Sequence, residues 1–250
     1  MRRIFIVGLM VHSLTGFTQT NIEKTIPAQQ GQRLSMDFTW PELIRVQTWV
    51  RSEVLIKGVV NINNGENDDA FELEITNGPD AIRVRSFLKD PDNIPRHIVI
   101  KKGDREYFFR ASDRNDPEVQ KFLEENDGSY TYMSNGIIKD IRLEVFVPVN
   151  METEITSKFG LVEVSNFQAP LTVSSKFGGV DATVPAAAVG ELSARTHFGE
   201  ILSNLDITFD SGKENGDPGD RWTVVSARPG KGPRYSFESK FGKVYLRKPQ

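Results

Sequence analysis

The sequence predicts an all-β chain: a right-handed parallel β-solenoid (β-helix or β-roll) with one short helical insertion. Three observations carry this expectation. First, a five-residue signature recurs at 156–160, 174–178, 195–199 and 238–242, ending in Phe159-Gly160, Phe177-Gly178, Phe198-Gly199 and Phe241-Gly242. The Phe positions lie 18, 21 and 43 residues apart, the last close to two periods, as if one turn lacked the signature. Second, apolar residues alternate on both sides of each signature, the period of a strand. Third, a unit of about 20 residues cannot bury its own apolar face and must stack on its neighbours. A β-sandwich is the competing architecture, but it needs no repeat identity.

Residues 1–18 read as a secretory signal peptide. Arg2 and Arg3 form a basic start, Ile4 to Leu14 an apolar run, and small residues follow. Cleavage is expected near Thr18/Gln19; a buried N-terminal strand is the other reading. The run is about half the ~20 residues that span a bilayer, so no transmembrane anchor is expected.

Residues 19–250 read as a single β-solenoid domain. Residues 30–135 form irregular coils, with alternation at Ile44/Val46, Val54/Ile56, Phe71/Leu73/Ile75 and Ile82/Val84. Asn63-Asn64-Gly65 and Asn77-Gly78-Pro79 mark turns. The helical insertion is expected at 116–126, capped by Asp116, with Pro117 in the first turn and Val119, Phe122 and Leu123 on one face. It is expected to lie over an end or side of the coils.

Residues 136–250 form the regular Phe-Gly coils. Ile141, Leu143, Val145 and Val147 alternate up to Pro148. Leu171-Thr172-Val173 aligns with Leu192-Ser193-Ala194 and with Tyr235-Ser236-Phe237. The turn without Phe-Gly falls in 206–227, with strands at 207–209 and 222–227 around a polar loop, 210–221.

Stepping outward from each Phe by twos places Ser157, Ser175, Thr196 and Ser239 on the face of the Phe. This phase predicts buried Phe rings stacked roughly 4.8 Å apart, beside a column of structural hydroxyls. The glycines supply positive φ or a tight corner. Lys158, Lys176, His197 and Lys240 fall on the outward face. They form a candidate stripe for an anionic polymer, although Glu163, Asp181, Glu200 and Glu238 lie close in sequence.

Composition removes many chemistries. The 250 residues carry 31 basic and 34 acidic side chains, three His and no Cys. Disulfides, Cys-ligated metals, a cysteine nucleophile and a lipid anchor on cysteine are excluded. The charge balance gives no basic excess for nucleic acid. Loss of Arg2 and Arg3 with a leader leaves 29 basic residues against 34 acidic ones. No nucleophile motif or phosphate loop occurs. His97 and His197 read as structural, so no catalytic residue is assigned and no enzyme is expected. Two acidic stretches, Asp210/Glu214/Asp217/Asp220 and Glu66/Asp68/Asp69, match no calcium loop, so no metal or cofactor is expected. Trp40, Trp49 and Trp222 are candidate sugar-stacking rings, with burial at the core or coil ends the simpler reading.

The segments SKFGLVEV, SSKFGGVDATV, THFGEI and SKFGKVYLRK, with IRVQTWVRSEVLIKG, NINNGENDDAFELEI and GPRYSFESKFG, resemble the bacterial putative-adhesin β-solenoid family of unknown function. The resemblance covers nearly all of 19–250. It implies an exported all-β solenoid, and the first expectation for function is a non-enzymatic protein, periplasmic or at the cell surface, that binds a surface glycan or an envelope protein. It also implies an alternative role as an envelope structural or sensing component beside a sigma/anti-sigma system. The family has no catalytic residues to carry over, and a polysaccharide-active enzyme is the remaining, third class.

Overall fold

The computed structural model describes residues 19–215 and 221–249. The expected signal peptide lies outside them. Alternation produces most of the strands. The first are β1 (Thr20–Pro27), β2 (Arg33–Phe38), β3 (Leu43–Trp49), β4 (Glu53–Ile62), β5 (Phe71–Asn77) and β6 (Ala81–Leu88). Next come β7 (His97–Lys102), β8 (Arg105–Phe109), α1 (Pro117–Glu125) and β9 (Tyr132–Gly136). Strand β10 (Lys139–Pro148) leads into the repeats, burying Ile141, Leu143, Val145 and Val147.

The repeats supply β11 (Thr153–Ser157) and β12 (Leu161–Ser165), β13 (Leu171–Ser175) and β14 (Val180–Thr183), and β15 (Glu191–Thr196) and β16 (Ile201–Ser203). After them run β17 (Asp210–Asn215), β18 (Arg221–Ala227), β19 (Arg234–Ser239) and β20 (Val244–Arg247).

Two large sheets share one apolar core. The first has the order β1-β4-β10-β3-β12-β14-β20-β16 and the second β17-β18-β15-β19-β13-β11-β2-β6-β5. Ile155, Val173, Ala194 and Phe237 of the second sheet join Val162, Val180 and Val244 of the first in that core. The chain is all-β with one short helix among the described residues, but the sheets are mixed. From β10 to β16 and from β6 to β15 the pairing is parallel. Antiparallel partners flank these blocks: β1 and β4, β5, and the pair β17 and β18. A bare parallel block ends in unpaired N–H and C=O groups; local antiparallel strands pair with them at the β10, β6 and β15 ends, while β16 ends the first sheet with no further strand among the described residues.

The repeats are not stacked in chain order. β19 pairs β13 on one side and β15 on the other, and β20 likewise lies between β14 and β16. The Phe241 coil is therefore inserted between the Phe177 and Phe198 coils. The expected turn without Phe-Gly at 206–227 is not a coil. Residues 207–209 form no strand, and the loop expected from 210 begins as strand β17. Strand β18 runs antiparallel to β15 and ends with Ala227 beside Leu192, at the start of β15. That reversal returns the chain to where β19 can enter parallel on the far side of β15, with Gly190 N–H donating to Pro233 C=O at 3.0 Å. A hairpin and a return thus fill the 43-residue interval.

The segment 97–136 departs from the expected irregular coils. β8-β7-β9 is a separate antiparallel sheet. Helix α1 buries Val119 and Leu123 against its Ile98 and Ile100, in a cluster of their own. The Asp116 carboxylate caps the helix by accepting from Glu118 N–H at 3.0 Å. No helix among the described residues is long and apolar enough to cross a membrane.

Candidate functional site

Each Phe-Gly signature forms the bend between a strand of the second sheet and one of the first. Up to the bend the phase is as expected: Ile155 and Ser157, Val173 and Ser175, Ala194 and Thr196, and Phe237 and Ser239 are buried. At the bend the period of two fails. Phe159, Phe177, Phe198 and Phe241 are 40, 46, 61 and 42% exposed, so the expected interior Phe ladder is corrected to a surface ladder.

The hydroxyl before each bend explains the slip. Ser157, Thr196 and Ser239 accept from the amide three residues on, at Gly160 (3.1 Å), Gly199 (3.1 Å) and Gly242 (2.9 Å). This local closure draws the glycine backbone inward and turns the intervening Phe out. The same hydroxyls tie the coils together. Ser175 donates to Gly160 C=O at 3.2 Å, Ser239 to Gly178 C=O at 2.8 Å and Thr196 to Gly242 C=O at 3.1 Å.

The glycines are required by close approach of backbones, not by positive φ. A Cβ on Gly178 would overlap the Gly160 carbonyl oxygen, and one on Gly242 would overlap that of Gly178. Neither has a φ in the left-handed region.

The four rings stack in spatial order, with centroids 5.5 Å apart for Phe159 and Phe177, 5.1 Å for Phe177 and Phe241, and 5.0 Å for Phe241 and Phe198. Their planes differ by 15, 10 and 7°. Rings stacked in this way present faces to one another and edges to water. Trp40 extends the row beyond Phe159, at 6.0 Å and 37°. Ser157 pairs with Phe38, so Trp40-Pro41 occupies the Phe-Gly place of an earlier coil. The signal for this was Asp37-Phe38-Thr39-Trp40-Pro41, readable as a signature only if Trp stands for Phe and Pro for Gly. At the other end the His197 ring packs against Phe198 (3.8 Å) and stacks on Trp222 (5.2 Å, 19°). Trp49 lies elsewhere, against Phe146.

The stripe residues lie beside the rings in the order Lys158, Lys176, Lys240, His197. The three Nζ atoms lie 5.0, 5.1 and 5.7 Å from the centroids of Phe159, Phe177 and Phe241. Nearby acids have other partners. Glu163 binds Arg45 (2.7 Å), Asp181 binds Arg247 (2.6 Å), Glu200 binds Lys243 (2.8 Å) and Glu238 binds Arg195 (2.6 Å). The hydrogen bond and charge of Lys243 hold the Glu200 carboxyl below its ordinary range. Those of Glu163 raise the Arg45 guanidinium, and those of Asp181 raise that of Arg247. Lys158, Lys176 and Lys240 make no ion pair among the described residues.

The stretch at Glu66, Asp68 and Asp69 behaves as turn chemistry, whereas Asp210 and Glu214 lie in strand β17 and not in the expected loop. Buried Asp68 accepts from Ile62 N–H (2.6 Å) and Thr20 N–H (3.2 Å), and Glu66 pairs with Arg110 (3.4 Å). Asp217 and Asp220 lie outside the described residues. Among those described, no group of three or more acidic or His side chains is arranged to hold a metal ion. His97 is half-buried at the start of β7, away from the row.

No family model matches the chain, and no curated protein matches it. One solved structure, a putative cell adhesion protein from Clostridium sporogenes ATCC 15579, aligns over 93% of this chain and 100% of its own, at 9% identity and a TM-score of 0.48. A likeness that low carries no argument about this chain.

Proposed function

We propose that this chain is an exported, non-enzymatic, adhesin-like protein of the periplasm or cell surface. In this reading its coils form a right-handed parallel β-solenoid, and the Lys158/Lys176/Lys240 row binds an anionic cell-surface polymer. The observation that supports it is the division of charge. Four acids beside the row are engaged with Arg45, Arg247, Lys243 and Arg195, while the three lysines have no ion pair among the described residues; Asp37, at the register place of Glu238 in an earlier coil, is an acid on that face with no ion pair among them. Like charges repeated at strand spacing, about 4.8 Å, repel one another at some cost to the fold, and a polyanion relieves that repulsion. The aromatic row supports the same ligand, because ring edges carry partial positive charge.

The test is retention of the purified protein on an immobilised anionic glycan, at low and high salt. The wild type is expected to be retained at low salt and released at high salt. The triple variant Lys158→Glu, Lys176→Glu, Lys240→Glu is expected to flow through. Retention of that variant equal to wild type overturns the proposal.

A further inference from the structure

Resting on that reading, we infer the ligand class: a linear polyuronate, with one carboxylate on every sugar, lying along the ring row. The row has a fixed repeat. Ring centroids advance by 5.0 to 5.5 Å per coil, and Lys158, Lys176 and Lys240 each immediately follow one of three adjacent parallel strands, β11, β13 and β19. Ammonium groups therefore recur once per strand spacing, about 4.8 Å. One extended pyranose covers that step, so a carboxylate on every sugar supplies one negative charge for each lysine of the row. A glycan charged on alternate sugars supplies one for every two.

The rings exclude a neutral glycan as the preferred occupant. Sugars stack on aromatic faces, and here stacking between Phe159, Phe177, Phe241 and Phe198 occupies those faces. What remains is a line of ring edges, whose partial positive charge suits a carboxylate oxygen. Two acids on the far flank of the row are neutralised by partners. Glu42 there is paired with Lys139 and Glu200 with Lys243. The site spans three sugars, bounded by Trp40 at one end and His197 at the other.

The test compares affinity of the full chain for polygalacturonate, fully methyl-esterified polygalacturonate and hyaluronan, which carries carboxylates on alternate sugars, at equal sugar concentration and low salt. Polygalacturonate is expected to bind about fivefold tighter than hyaluronan, the contribution of one additional exposed ion pair. The ester is expected not to bind. Lys176→Gln, at the middle of the row, should weaken polygalacturonate more than hyaluronan and so remove the preference. Equal binding of polygalacturonate and hyaluronan overturns the inference on spacing and leaves the polyanion reading standing. Binding of neither, or of the ester as well as the acid, overturns both.

Discussion

The Ser239 hydroxyl donates to the Gly178 carbonyl at 2.8 Å, although 61 residues separate them in the chain. It also accepts from its own corner, from Gly242 N–H at 2.9 Å. One buried oxygen therefore closes a bend and fixes that bend to the coil beneath.

Ser239→Ala should accordingly cost about 1–3 kcal/mol, because it removes the partner of both backbone groups in a buried position. Ser236→Ala, on the outward face three residues earlier, should change stability by less than about 0.5 kcal/mol. Urea unfolding of both variants checks this contrast. Equal midpoints would show that the corner hydroxyl is dispensable.

Gly178→Ala should destabilise by about 1–3 kcal/mol or more, because its Cβ meets the Gly160 carbonyl, which belongs to a backbone stack that cannot swing away. Gly136→Ala has open space around its Cβ and should be neutral or mildly stabilising. Thermal unfolding of the two variants measures the difference. A loss at both positions would point to glycine flexibility rather than close approach.

Phe177 and Phe237 occupy opposite environments. Phe237→Ala should cost about 3–5 kcal/mol, since the ring is buried between the sheets. Phe177→Ala should cost about 1–2 kcal/mol, as it loses two ring contacts but little burial. Denaturant titrations that rank them the other way would return the Phe-Gly rings to the core.

Burial pushes the Tyr235 phenol from 10.0 up to about 12, and its hydroxyl donates to Phe167 C=O. The unfolded chain ionises this phenol near pH 10 and the folded chain only near pH 12. Its contribution is therefore present below pH 10 and lost as pH rises from about 10 to 12, at about 1.4 kcal/mol per pH unit. Tyr235→Phe should flatten this alkaline decline, read as urea midpoint against pH. An unchanged slope would mean that other groups set it.

Strand content was legible because each strand has one wet and one dry face, as Ile141, Leu143, Val145 and Val147 display. Helix α1 was legible from its cap and its apolar face. The exposure of Phe159 and its equivalents was not. Period-two reading assumes an unbroken strand, and the hydroxyl-to-amide closure at Ser157 and Gly160 breaks it in three residues. Coil order was hidden because Leu171 can pair with Tyr235 or Leu192 equally well by pattern. One signal was present all the same. The three Ser-Lys-Phe-Gly corners are consecutive in space, and Thr196-His197-Phe198-Gly199 ends the row. The lysine row itself was visible from spacing, but the partners of its neighbouring acids depend on cross-strand register, as with Arg45 and Glu163.

A chain synthesised from its N-terminus cannot build this stack one coil at a time. Strands β15 and β16 emerge before β19 and β20, yet reach the older coils only through them. Until residues 234–247 arrive, β15 to β18 have no seat, and β13 and β14 each keep an open edge. A premature stop near residue 230 therefore takes out the keystone and not the last course, and should leave a soluble-to-aggregate transition rather than a shorter stable protein. The quality check on a complete chain is built into the order in which its strands interlock.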